Sequence, residues 1–133
     1  MKTRPLLTLE DCRKISTAAE AEAKKNNWNV CIAILDDGGH PLHLVRMDGA
    51  SPANARIAIE KGRTAAESRR SSAVWEERIK AGRNSMLGMP GITPVQGGLP
   101  IIAEGICVGG VGVSGVQSHE DEQIAAAGIK VLG

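Results

Sequence analysis

The segment from Gly97 to Gly115 constrains this chain most, because it alternates short apolar runs with glycine and proline, the pattern of strands joined by tight turns. Gly110-Val111-Gly112-Val113-Ser114-Gly115 matches the G-x-G-x-x-G spacing of a dinucleotide loop. Its context does not: such a loop needs a following helix, a further strand and an acidic residue about 20 positions on, and only one helix follows here. Strand periodicity is the better reading. It puts Ile106, Val108, Gly110, Gly112 and Ser114 on one face, and Cys107, Gly109, Val111 and Val113 on the other. The first face is then bare at its C-terminal half. Interior glycines of this kind admit a helix, another backbone or a ligand at close range, and both a packed helix and a ligand resting beside the Ser114 hydroxyl remain open.

The rest of the chain reads as helices and hairpins. Thr8 with Glu10 and Asp11 is an N-cap opening a first helix that runs to about Asn26-Asn27. Val30 to Leu35 and His40 to Met47 form two strands around the turn Asp36-Asp37-Gly38-Gly39. Ser51-Pro52 opens a second helix ending near Ser68, and a third spans Val74 to Ala81. Thr93–Gln96, Pro100–Ala103 and Ile106–Val113 are expected to make a three-stranded meander. Ser118, with Asp121 three residues later, suggests a capping box for a last helix. Grouped helices between hairpins predict one α+β domain over residues 1–133, with an antiparallel five-stranded sheet.

Composition excludes some functions. Sixteen basic and fifteen acidic side chains give a net charge of +1, and the chain has no Phe or Tyr and only two Trp. Neither a cationic field nor stacking rings are present for nucleic acid, so no nucleic-acid partner is expected. No apolar run is long enough for a membrane span, and the start of the chain is unlike a signal peptide, so a cytoplasmic location is expected. Cys12, Cys31 and Cys107 lack metal-binding spacing and read as buried thiols, and His40 and His43 point to opposite strand faces, so no metal site is expected. Charge is uneven: residues 55–83 hold eight Lys or Arg against four Glu. A solvated face with i,i+4 pairs such as Arg56/Glu60 and Arg63/Glu67 is one reading, and contact with an acidic ligand is the other.

Several segments resemble the GlcG/HbpS family, which includes the C-terminal domain of PduO-type corrinoid adenosyltransferases. They are Ile34 to Leu42, Arg46-Met47-Asp48-Gly49-Ala50, Lys61-Gly62-Arg63-Thr64-Ala65-Ala66, Gly97-Gly98-Leu99-Pro100-Ile101, Gly109 to Gly115, and Asp121 with Ile124-Ala125. The resemblance implies a profilin-like fold, self-association into homo-oligomers, and haem as a ligand. It also implies members encoded with glycolate, diol or aromatic degradation pathways. Where the PduO-type domain carries a haem-ligating histidine in its first helix, this chain has none. His40, His43, His119, Met47, Met86 and Met89 are the remaining axial candidates.

Two functions follow as expectations. The first is a cytoplasmic oligomeric small-molecule-binding protein, with Arg46, Asp48, Lys61, Gly97, Gly98, Gly110, Gly112 and Ser114 around the ligand. The second is a small cofactor-independent enzyme, or an accessory of a catabolic pathway, acting on a compact carboxylate or carbonyl compound. There Lys61 or Arg46 would bind the anion, Gly97-Gly98 N–H groups would hold an oxyanion, and Asp121 would be the acid/base.

Overall fold

The computed structural model describes all residues 1–133. Helix α1 (Leu9–Lys25) starts where the Thr8 hydroxyl accepts the Asp11 N–H at 3.1 Å and the Asp11 carboxylate accepts the Thr8 N–H at 2.9 Å. The hairpin follows as β1 (Cys31–Asp36) and β2 (Pro41–Arg46), then come α2 (Ala53–Ser68) and α3 (Ala73–Lys80). A 3₁₀ turn (Asn84–Gly88) leads through an irregular segment to β3 (Gly98–Ala103) and β4 (Ile106–Ser114), and α4 (Ser118–Ile129) closes the order before a short 3₁₀ turn.

The sheet is antiparallel, flanked by helices, and has four strands in the order β2-β1-β4-β3. The expected fifth strand, Thr93–Gln96, does not form. Its backbone is held by side chains instead of a ladder: Thr93 N–H donates to Thr64 Oγ1 at 2.8 Å and Gln96 N–H to a Glu76 carboxylate oxygen at 3.2 Å. Val95 O accepts the Ser72 hydroxyl at 2.6 Å.

Helices α1 and α4 cover one face over a core of Ile15, Ile32, Ile34, Ile101, Val111, Val113 and Ile124. On the other face α2 lies on Cys31, Ala33 and Leu35. A register break modifies the expected faces of β4. Ile101 pairs with Gly109 and Ile102 with Cys107, so Val108 is an extra residue. Val108 therefore joins Val111 and Val113 in the larger core, while Cys107 turns to the α2 side with its thiol 3.7 Å from Ala66 O.

Helix α2 itself fills the bare glycine face. A Cβ at Gly110 would lie 2.5 Å from Gly62 O, and one at Gly112 would overlap the Ala58 carbonyl and the Gly62 backbone. No space for a ligand remains over Gly110 and Gly112, because the missing side chains let two backbones meet.

Candidate functional site

Four of the sequence candidates, Lys61, Asp121, Gly97 and Gly98, converge on one point, the end of the sheet where β3 begins and β4 ends. Lys61 projects from the buried side of α2, while Asp121 stands in the first turn of α4, on the opposite face of the sheet. The lysine side chain crosses between the layers past Gly97, where a Cβ would lie 2.8 Å from Nζ and 2.9 Å from Cδ. Gly97, at φ 132°, thus combines a conformation that favours glycine with a path for the lysine. Lys61 Nζ donates to Asp121 Oδ2 at 3.0 Å and to Val113 O at 3.1 Å. The other Asp121 oxygen accepts the Val116 N–H at 3.1 Å.

The expected capping box is thereby rearranged. Asp121 turns inward, away from Ser118, and Glu120 takes the outer role by accepting the Gln117 N–H at 3.1 Å. Burial pushes the Asp121 carboxyl above its usual range, with Lys61 pulling it back. The two side chains are 3% and 2% exposed, and neither lines any cleft of the molecule. A pair this enclosed, with both carboxylate oxygens engaged, clasps α2 to α4 and presents no reactive atom to a substrate.

Gly98 has no free donor for an oxyanion. Its N–H donates to Ser72 Oγ at 2.9 Å, and its carbonyl accepts the Ser72 N–H at 2.9 Å. Ser114 is buried with its hydroxyl on Asn54 Oδ1 at 2.7 Å. Arg46 and Asp48 stand apart from Lys61. Both are exposed and line a separate cleft of about 370 Å³ with Glu20, Lys24 and Asn29. Arg63 pairs with Glu60 at 3.0 Å, not with Glu67, because the guanidinium reaches back one turn on α2. Sequence reasoning missed Ser72, Asn54 and the Val113 carbonyl. Ser72 belongs to a short polar break between helices, which carries no motif.

Fold and site together define an α+β protein built on one antiparallel sheet, with its two helical layers tied by a buried lysine–aspartate pair. The chain belongs to the HbpS-like family, whose model, described as haem degrading protein HbpS-like, matches residues 7–130. Among curated proteins it is 45% identical to protein GlcG of Escherichia coli strain K12 over 114 residues, covering 86% of this chain and 85% of that one. It is 31% identical over 123 residues to a 15.0 kDa protein from the dhaT-dhaS intergenic region of Citrobacter freundii, covering 90% of this chain and 87% of that one. Among solved structures, a double mutant of Streptomyces reticuli HbpS superposes with a TM-score of 0.92 at 34% identity, covering 100% of this chain and 91% of that one. The PduOC:heme complex shares the fold, with a TM-score of 0.86 at 23% identity over 95% of this chain and 94% of that one.

Proposed function

We propose that this protein is a cytoplasmic, self-associating small-molecule-binding protein whose ligand is haem. The family model matched over residues 7–130, described as haem degrading protein HbpS-like, carries the ligand class. Similarity to HbpS at 34% identity over the whole chain supports the same family placement. The enclosure of Lys61 and Asp121 favours binding over acid–base chemistry on a compact carboxylate, because a general acid or base must come within hydrogen-bond reach of its substrate.

Haem requires an axial donor, apolar contact and partners for its propionates. His40 is on the exposed hairpin turn, 3.3 Å from the Asp36 carboxylate, and His119 is exposed at the start of α4. Met47 packs against the larger core and Met86 is buried. The Nδ1 of His43 is buried without a hydrogen-bond partner and lines no cleft, whereas Met89 is exposed and lines a cleft that also contains arginines. Bound at such a donor, haem would supply a coordinating, redox-active iron, while the chain would supply its charge partners.

Titration of the purified protein with haemin tests the reading. A shifted Soret band saturating near one equivalent per subunit is expected. An unshifted band at stoichiometric concentration overturns it.

A further inference from the structure

The two edges of the sheet differ. At β3, the Gly97 carbonyl accepts the Val113 N–H at 3.0 Å, so Gly97 turns its backbone toward β4 while Gly98 and Pro100 turn theirs outward. That edge is closed, because Ser72 takes both the N–H and the carbonyl of Gly98, and Pro100 has no N–H to offer. At β2, the Met47 N–H donates to Val30 O at 3.0 Å, so Met47, Val45 and His43 face β1 while Leu44 and Arg46 turn their backbone groups to solvent. This edge is open. Free N–H and C=O groups in a row are a template for another strand, and proteins commonly guard them with charge or proline. β2 has proline at its start and arginine at its end, but leucines between them: Leu44 is 43% exposed and Leu42 38%. Leu44 shares the α2 side of the sheet with its register partner Ala33. On α2, Ile57 is 38% exposed and lines a cleft of about 740 Å³ that reaches Pro41 at the start of β2.

We propose that β2 pairs antiparallel with β2 of a second copy about a two-fold axis at Leu44, joining two four-stranded sheets into one of eight. The proposal rests on the self-association reading and gives it an interface. Because β3 is closed, a β2-to-β3 contact, which would build open filaments, finds no receiving strand. The β2-to-β2 contact is isologous and closes at two. Its register also suits the charges. With Leu44 opposite Leu44, Arg46 falls opposite Leu42, and the two arginines stand about 14 Å apart along the strands, beyond the screening length at physiological salt. The same axis runs the two α2 helices antiparallel. Arg56, which has no carboxylate partner in its own chain, then points toward Glu60 of the second copy.

Leu44→Cys tests the axis. Cα atoms of a hydrogen-bonded antiparallel pair lie about 5.5 Å apart, within disulfide reach, and the three native cysteines are buried. A disulfide-linked dimer on mild oxidation is expected for Leu44→Cys and none for Ile102→Cys, at an exposed position on the closed edge. Leu44→Lys, and Leu44→Pro, which removes only an outward N–H, are expected to weaken association by about tenfold or more in sedimentation equilibrium. Ile102→Lys is expected to associate as wild type does. A self-associated wild type whose Leu44→Cys variant stays unlinked and whose Leu44→Lys variant keeps its size overturns this interface alone. A wild type that stays monomeric across the micromolar range overturns the self-association reading as well, and leaves the edge to an extended segment of another protein.

Discussion

At the scale of single residues, the Lys61–Asp121 pair shows how far a residue's type underdetermines its work. Both were natural candidates for chemistry, a cation on a basic helix and an acid at a helix start. Enclosure turns them into a clasp. Truncating one partner strands the other charge in a place without water, which costs about 3–5 kcal/mol. Asp121→Ala and Lys61→Ala are each expected to lose stability on that scale in urea unfolding. The double variant Lys61→Met, Asp121→Leu is expected to return most of the loss, since no charge is then left buried. A double variant no more stable than either single change would mean that the pair does not act as a unit. The sequence grouped Lys61, Asp121, Gly97 and Gly98 with Arg46, and the structure brings the first four together while Arg46 lies in another cleft. Ser72 and the Val113 carbonyl were not legible there, because a serine between helices and a backbone oxygen have no distinguishing pattern.

Among the elements, the decisive contact is α2 against β4. Ala58, Gly62 and Ala66 give the helix a smooth face, and Gly110 and Gly112 give the strand another. Gly112→Ala drives a methyl into the Ala58 carbonyl, a clash with backbone that no rotamer change relieves. A loss of about 3 kcal/mol in denaturant unfolding is expected. Gly88→Ala, where a Cβ meets nothing within 4 Å, is the control and is expected to change stability by less than about 0.5 kcal/mol. Equal effects at the two sites would contradict the close approach. The start of α1 and the β1–β2 hairpin follow from a cap and a turn that are local in sequence, whereas α2 and α3 begin without a side-chain cap. The bulge at Val108 and the loss of the Thr93–Gln96 strand have no such local cause. Both depend on partners far along the chain, Ile101 and Ile102 for the first and Thr64, Ser72 and Glu76 for the second.

For the molecule as a whole, acid should weaken the fold. Hydrogen bonds from the Thr8 N–H and hydroxyl hold the Asp11 carboxyl below its ordinary value of 3.8. At Asp36 burial acts upward, but the His40 and Gly38 N–H groups outweigh it and the carboxyl ends below 3.8. Burial at Glu76 is likewise outweighed, by the Gln96 N–H and Lys80, leaving that carboxyl below 4.5. Carboxyls of the unfolded chain take up protons first, so the stability these groups contribute is present above their ordinary values and is lost as pH falls through the lowered ones. Asp121, raised by burial, acts in the opposite direction, its contribution growing as pH falls through its raised value. A melting temperature that declines between about pH 5 and 3 is expected, less steeply in Asp11→Asn and Asp36→Asn and more steeply in Asp121→Asn. A flat profile in the wild type would contradict this balance. The sequence by itself determined the four helices, the four strands that form and the antiparallel class, which follow from caps, turns and periodicities read over a few residues, and the family, which its ordered motifs resemble. Only the tertiary structure decided that a helix fills the glycine face, that Lys61 and Asp121 are enclosed, that Arg46 and Asp48 lie elsewhere, and that β2 is left as an open edge. Those outcomes depend on which distant surfaces exclude water from one another, and local sequence does not encode that pairing in any single segment.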